Sequence, residues 1–232
     1  MHHTNPDVES GDDTVAQTNE TSQAVPALST LSNFREQYYT CLTARADALF
    51  ELTDAALCAD GPVTSPVELS LAGEHRRGHG SVYAALNDGR VDQDALRDVL
   101  AAQPLPRAGG IGANGRARIV LAVDVTSWLR PEAPTSAGRS FCHVYGRGRG
   151  NAQLIPGWQY SYIAALESGA TSWTALLDIQ RLHPDDDVSL ITATQLRAIV
   201  ERLQRNGTHR SDDPTSWWSP TPATTFPASR CS

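Results

Sequence analysis

The stretch Ala117–Val125, with the sequence ARIVLAVDV, decides the fold of the second half of the chain. Seven of its nine residues are aliphatic, and only Arg118 and Asp124 interrupt the run. Such a run is typical of a central strand that is buried on both faces. Because the strand closes near Asp124, it brings a carboxylate to its end.

More strands and a helix follow this stretch, which predicts a mixed α/β sheet. The helix has an apolar stripe formed by Leu190, Leu196, Ile199, Val200 and Leu203. The predicted elements are the strands Phe141–Tyr145, Tyr160–Leu166 and Thr171–Leu182 and the helix Val188–Leu203.

The connections between these elements contain two turn patterns and an acidic cluster. Gly146–Gly150 lacks the G-K-[ST] ending of a phosphate-binding loop, so it predicts a hairpin turn that exposes Arg147 and Arg149. Pro156-Gly157 predicts a second turn. His183–Asp187 could be a metal cluster, but aspartates capping the following helix are the favoured interpretation.

The first half of the chain has helical patterns. Spacings of three, four and seven between apolar residues predict one helix over residues 33–58. Ser65–Glu68 has the form of a capping box with proline at the first helical position. Two more short helices follow, one using Val82, Tyr83 and Leu86 and one running from Asp92 to Leu100.

A turn between the short helices carries the residues Arg76, Arg77 and His79. Arginines at such a turn are where a helix-turn-helix contacts phosphate, so these residues are candidates for DNA binding. The alternative is a solvated turn whose glycines supply positive φ angles.

Composition limits the remaining possibilities. The formal net charge is -7, but five acidic residues and no basic ones lie in residues 1–30, so the rest of the chain is close to neutral. All 19 basic residues are arginine, which suggests a gene rich in G and C. No signal peptide or membrane helix is recognisable, so we expect a cytosolic protein. The four scattered cysteines predict buried free thiols.

Several long stretches resemble a known family. Tyr39–Phe50, Glu74–Leu86, Val123–Pro131 and Phe141–Gly148 resemble segments of DDE transposases from bacterial insertion sequences. The resemblance covers roughly residues 34–210.

This resemblance implies an RNase H-like catalytic fold in which two aspartates and a glutamate bind two Mg²⁺ ions for DNA cleavage and strand transfer. Asp124 matches the first of the three carboxylates, so it is the candidate catalytic residue and metal ligand. The implied partners are DNA at the ends of the element and an intact transposase or a second copy.

The expected fold class is therefore α/β, with an all-helical N-terminal domain and an incomplete RNase H-like mixed sheet. The predicted domains are a disordered acidic arm (1–32), a helical DNA-binding domain (33–103), a linker (104–115), a partial catalytic domain (116–206) and a disordered, out-of-frame tail (207–232).

The tail is assigned out of frame because the family pattern stops after about Asn206. Pro214–Pro227, PTSWWSPTPATTFP, fits neither a strand nor a helical period. If each codon takes the last base of one residue and the first two bases of the next, the frame from Asp213 can encode PDILVVADAGYDVPRL. Because that is an apolar strand ending in an aspartate, we interpret the tail as a frameshift between about Gly207 and Pro214. The alternative is a genuine disordered tail rich in proline and threonine.

A shifted frame removes the second Asp and the Glu of the triad, so we expect an inactive transposase remnant with residual DNA binding. It also predicts an unpaired edge on the Asp124 strand. Two alternatives stay open: ribosomes slip near residue 210 and make the complete enzyme as a minor product, or the chain is an unrelated metal-dependent hydrolase using Asp124 with Asp178 or Asp185–Asp187.

Overall fold

The structure is a computed structural model, and it divides the chain into two compact units, residues 1–96 and 97–232. No helix in the part of the chain that it describes is long and apolar enough to cross a membrane. The described residues are 13–107, 115, 117–133, 135–145, 152–167, 174–210, 213 and 215–218.

The first unit is mostly helical, as predicted, with one small antiparallel strand pair. Its elements are α1 (Asp13–Thr40), β1 (Leu42–Ala44), α2 (Ala46–Leu57), α3 (Pro66–Leu71), α4 (Gly80–Asp88), β2 (Arg90–Val91) and the start of α5 (Gln93–Ala102). The prediction of a purely helical domain is therefore corrected by the pairing of β1 with β2.

The predicted helix over residues 33–58 is wrong because the chain breaks between α1 and α2. Arg45 has a φ of 53°, in the left-handed region, and Leu42 pairs with Val91 of β2. Cys41 and Leu42 are buried. Burial of these two side chains and the strand pairing stabilise a turn where the apolar spacing alone predicted a continuous helix.

The predicted arm over residues 1–32 is also corrected, since α1 begins at Asp13. The segment from Asp13 to Val25 contains no glycine or proline. A helix whose far end is already packed extends without a new nucleation step. That end contacts α2, where the rings of Tyr38 and Phe50 lie 6.1 Å apart and Arg35 forms an ion pair with Asp54. Residues 1–12 lie outside the described part of the chain.

The three short helices of the first unit are confirmed. The Ser65 side chain caps α3 by accepting from the backbone N–H of Glu68. The Asp92 carboxylate accepts from two backbone N–H groups at the start of α5. Of the three apolar residues that predicted α4, Val82 is buried, whereas Tyr83 and Leu86 are exposed. The core of the unit consists of Ala48, Leu52, Val82 and Ala85.

The second unit is a mixed sheet with helices. Its elements are the end of α5, then β3 (Ile119–Leu129), β4 (Ser140–Tyr145), β5 (Ala152–Leu166), β6 (Thr174–Leu182), α6 (Val188–Arg205) and β7 (Thr215–Trp218). The strand order is β4-β5-β3-β7, with β6 also paired to β5. Every pair is antiparallel except β3 with β7, which is parallel. This mixed α/β sheet is consistent with the RNase H-like fold expected from the sequence.

One face of β3, β5 and β6 is covered, and we call it the covered face. Alternate residues of β3 are buried there, at most 2% exposed. They pack with residues of α5 and α6 in one cluster. That cluster consists of Ala101, Ile119, Leu121, Val123, Ile163, Ala165, Leu177, Ile199 and Leu203.

The opposite side of the sheet, called the open face, carries the other set of alternating residues. Asp124 and Thr126 are exposed there, and Trp128 is 50% exposed. The prediction that β3 is buried on both faces is therefore wrong for this strand. Before Asp124 the residues on both faces of β3 are aliphatic. From Asp124 onward the open-face residues of β3 are polar or aromatic.

The predicted turn at Pro156-Gly157 lies inside β5 instead. The carbonyl of Pro156 accepts from the backbone N–H of Arg130 at 2.8 Å, and proline needs no donor for that contact. A Cβ on Gly157 would lie 2.4 Å from the carbonyl oxygen of Trp128. The two residues therefore allow β5 to approach β3 closely, which local turn propensity could not reveal.

The strand β7 corrects two predictions about the tail. Thr215–Trp218 forms a strand where no element was expected, and it pairs with Ile119–Ala122 of β3. The edge of β3 is therefore paired at these residues. Threonine and tryptophan favour extended structure, and an exposed strand edge offers backbone groups to any extended segment. Residues 219–232 lie outside the described part of the chain.

The thiols match the prediction in part. Cys41 and Cys142 are free and buried, whereas Cys58 is free and exposed. Burial raises the pKa of the Cys41 thiol, with a further contribution from the charge of Asp92. Cys231 lies outside the described residues.

Candidate active site on the open face of the sheet

Asp124 lies within β3, five residues before its end, and not at a strand end as the sequence predicted. Its carboxylate is on the open face, and Oδ1 accepts from the backbone N–H of Val125 at 2.9 Å. In β5 it is paired with Tyr162. A regular strand paired on its flank holds this carboxylate on a rigid element, which suits a residue with a positional role.

Asp178 belongs to the opposite face of the same sheet. It is paired with Ile163, which is paired with the buried Val123 of β3. Because side chains alternate along a strand, Asp178 and Asp124 point away from each other. The Asp178 carboxylate is 6% exposed and lies 2.6 Å from Nε of Arg97. It forms a structural ion pair, and the sheet does not bring it to Asp124.

The acidic cluster before α6 caps the helix, as the favoured interpretation predicted. Asp187 Oδ1 accepts from the backbone N–H groups of Ser189 and Leu190. Asp186 accepts from the backbone N–H of His183 at 2.7 Å. These two carboxylates are therefore engaged with backbone donors.

A pair of Mg²⁺ ions needs several oxygen ligands arranged around both ions. Within the described ranges, no three Asp, Glu, His or Cys side chains are grouped so that they could hold a metal ion. Asp124 alone does not fit a two-ion site.

The open face also carries an aromatic row, defined here as Trp128, Trp158, Tyr160 and Tyr162. Trp128 lies 6.1 Å from Trp158 and 6.2 Å from Tyr160 between ring centroids, and Tyr160 lies 6.3 Å from Tyr162. Since Tyr162 is the partner of Asp124, the row begins beside that carboxylate.

Two guanidinium groups lie over the tryptophans of this row. Arg130 is 4.5 Å from the Trp128 ring centroid, and Arg181 is 5.2 Å from that of Trp158. Arg181 also donates from Nη2 to the carbonyl oxygen of Ala137 at 2.7 Å. A Cβ on Gly138 would lie 2.6 Å from that nitrogen, so glycine leaves room for the arginine.

Sequence reasoning missed this row, although its pattern is present. Trp158, Tyr160 and Tyr162 alternate with Gln159 and Ser161, which is the period of a strand with one aromatic face. The contribution of Trp128 could not be seen, because it depends on the register that places Trp128 opposite Trp158.

The candidate DNA-binding residues of the first unit have different surroundings. Arg77 forms ion pairs with Asp47 at 3.0 Å and Glu51 at 3.3 Å, so its charge is largely compensated. The hydroxyl of Tyr39 donates to the same Asp47, which raises the pKa of Tyr39. Arg76 is exposed, with its backbone N–H bonded to Glu51.

His79 is also exposed, and its ring contacts two neighbours. Nδ1 lies 2.9 Å from the hydroxyl oxygen of Ser70, and the ring meets Tyr83 edge-on at 5.2 Å. Arg76, Arg77 and His79 thus come from one turn of the first unit, as the sequence predicted. Arg147 and Arg149 lie outside the described residues.

A family model described as "DDE superfamily endonuclease" matches residues 37–218. The match covers most of the chain and includes both Asp124 and β7. It therefore extends past Asn206, where the family pattern was expected from the sequence to stop. The chain therefore belongs to the DDE superfamily endonuclease family, whose members are transposase-like nucleases acting on DNA. Comparisons with curated proteins and with solved structures gave no match. Membership corrects the alternative of an unrelated hydrolase.

Proposed function

We propose that this chain is a remnant of a DDE transposase that keeps the first catalytic carboxylate, Asp124, but not the second. In the intact family the three carboxylates bind the divalent ions used for phosphodiester cleavage and strand transfer. Support comes from the position of Asp124, exposed on a regular strand within a chain of this family.

The observation that carries the proposal is the direction of β7. It runs parallel to β3, and its last described pair, Ala122 with Trp218, lies two residues before Asp124. In an intact chain whose β7 continued in this register, a carboxylate two or three residues after Trp218 would lie beside Asp124. The sequence after Trp218 is SPTPATTFPASRCS, which contains no aspartate or glutamate. Residues 219–232 therefore supply no carboxylate to follow β7.

The regrouped reading frame supplies that residue. Between Trp218 and Thr221 it can encode Val-Ala-Asp, which places an aspartate three codons after Trp218. Strand pairing uses backbone groups and tolerates a change of side chains. The presence of β7 is therefore compatible with a frameshift between about Gly207 and Pro214.

The remaining activity in this proposal is DNA binding. Arg76 and His79 are exposed at the turn before α4, which suits contacts to phosphate. The ion pairs of Arg77 make it a weaker contributor. Bound at element ends, such a remnant would compete with an intact transposase.

The test begins with the gene. Sequencing through the region and about 200 bases beyond the stop codon should reveal a long shifted frame. A chain repaired by one base near codon 210 is then compared with the present chain on labelled DNA from the element ends, with Mg²⁺ present. We expect cleavage by the repaired chain and none by the present one.

Asp124→Asn in the repaired chain is the matched control, and it should abolish cleavage while leaving DNA binding intact. A shifted frame that closes within a few codons contradicts the proposal, as does cleavage by the present chain at the rate of the repaired one. If the unmodified gene yields both products, the frame is changed during translation and the second product is the enzyme.

A further inference from the structure

We propose that the open face binds an unpaired DNA strand, with Trp128 and Tyr160 as stacking surfaces and Arg130 and Arg181 as phosphate contacts. This inference deepens the proposed function, and the choice of DNA as ligand rests on it. It assigns a ligand to the aromatic row. The presence of Asp124 does not by itself account for four aromatic side chains on this face.

Trp128 is the exposed ring of the row, whereas Trp158, Tyr160 and Tyr162 are half-buried. Trp128 is 50% exposed, so much of its ring contributes nothing to the core. The ring planes of the row are tilted by 45° to 58° and are not stacked on one another. Aromatic side chains on an open sheet are the usual platform for single-stranded nucleic acid, because every base has a π face.

The charges on the row favour an anion. Among the described residues, no carboxylate lies within ion-pair distance of Arg130 or Arg181. Phosphate oxygens are strong hydrogen-bond acceptors for guanidinium groups.

The same charges argue against other occupants. An apolar protein segment laid on the row would bury two cations without carboxylate partners, which is unfavourable. Duplex DNA satisfies the arginines but hides its bases inside the helix, so it leaves the rings unused. An unpaired strand satisfies both features.

The row also has a useful length and direction. It runs from the level of Asp124 to the level of Trp128, four residues along β3. That is about 13 Å at the rise of a strand, the length of about four stacked nucleotides. A DNA strand lying on the row therefore has one end at Asp124, the candidate catalytic residue.

The experiment measures binding by fluorescence anisotropy with a labelled oligo-dT of 12 nucleotides and a labelled duplex of 12 base pairs. EDTA is present, so neither divalent ions nor cleavage are involved. We expect oligo-dT to bind more tightly than the duplex. Trp128→Thr, which keeps strand propensity, should weaken oligo-dT binding about tenfold and leave duplex binding unchanged.

Trp128→Phe is the matched control and should stay within about twofold of the unmodified chain. Tyr160→Thr should resemble Trp128→Thr, and Arg130→Gln should lower the salt dependence by about one counterion. Oligo-dT should also quench the tryptophan fluorescence of the unmodified chain, with less quenching in Trp128→Phe. This readout needs only the conservative variant, so misfolding of Trp128→Thr does not remove the test.

Equal weakening of oligo-dT and duplex binding, or no weakening of oligo-dT binding, would overturn the inference. A change in sedimentation of Trp128→Thr would assign the row to self-association. Failure here leaves cleavage by the frame-repaired chain untouched, and failure of that cleavage leaves oligo-dT binding untouched. The two proposals are therefore judged by separate measurements.

Discussion

The covered and open faces of the sheet are built from alternate residues of the same strands, yet they differ in every physical respect. On the covered face Leu121, Val123 and Ile163 are at most 2% exposed and pack with α6. On the open face Asp124 and Thr126 are exposed and followed by aromatic rings. One face provides the stability of the unit, and the other is free to carry chemistry.

The two carboxylates of the sheet show what this difference teaches. Asp124 and Asp178 are similar as letters in the sequence, and both were candidates for one metal site. Register places them on opposite faces. Asp178 forms an ion pair with Arg97 on the covered face, whereas Asp124 lies on the open face. Strand alternation therefore decides which carboxylate belongs to the covered face and which to the open face.

The largest effect is expected on the covered face. Ile163→Ala leaves a cavity in the centre of the core and should lower the free energy of unfolding of the second unit by about 3 to 4 kcal/mol. Thr126→Val on the open face should change it by less than about 0.5 kcal/mol. Urea unfolding followed by circular dichroism measures both. Equal losses would mean that the two faces are not distinct.

The carboxylates give the next largest contrast. Asp178→Ala removes the buried carboxylate that lies 2.6 Å from Arg97 Nε and should cost about 3 kcal/mol in unfolding free energy. Asp124→Ala should cost less than about 1 kcal/mol. The double variant Arg97→Leu with Asp178→Ala should recover part of the loss. Full additivity of the two single changes would contradict a direct ion pair.

A smaller effect is expected at the helix that closes the covered face. Asp187→Ala removes the cap of α6 and should cost about 1 kcal/mol in unfolding free energy. Asp185→Ala, its neighbour in the acidic cluster, should have little effect. Thermal unfolding without and with added Mg²⁺ separates capping from metal binding, since stabilisation by Mg²⁺ that depends on Asp187 would favour the metal interpretation.

The smallest effect is expected outside both faces, in the first unit. Hydrogen bonds from the hydroxyl and backbone N–H of Thr64 hold the pKa of Glu68 below its usual range. Its contribution to stability is present above the pKa of the unfolded glutamate, about 4.3, and is lost as pH falls through the lower folded pKa. Thr64→Val should move the pKa of Glu68 upward in an NMR titration; an unchanged value would contradict the hydroxyl contact.

Local patterns predicted a large part of the fold. The capping box at Ser65, the cap at Asp187 and the strands around residues 119, 141, 160 and 174 all follow from short-range chemistry and periodicity. The errors occur where distant segments meet. Pairing of β1 with β2 interrupts the first predicted helix. Close contact with β3 keeps Pro156-Gly157 within the extended strand β5, where a turn was predicted.

The candidate site likewise depends partly on local sequence and partly on strand pairing. The sequence by itself determined that an apolar strand carries Asp124, that the chain resembles DDE transposases, and that residues 219–232 contain no acidic residue. Only the tertiary structure decided that Asp178 faces away, that β7 lies beside β3, and that Trp128 joins the aromatic row. Residue types fix chemistry and local preference, whereas register and side-chain direction depend on which strands pair.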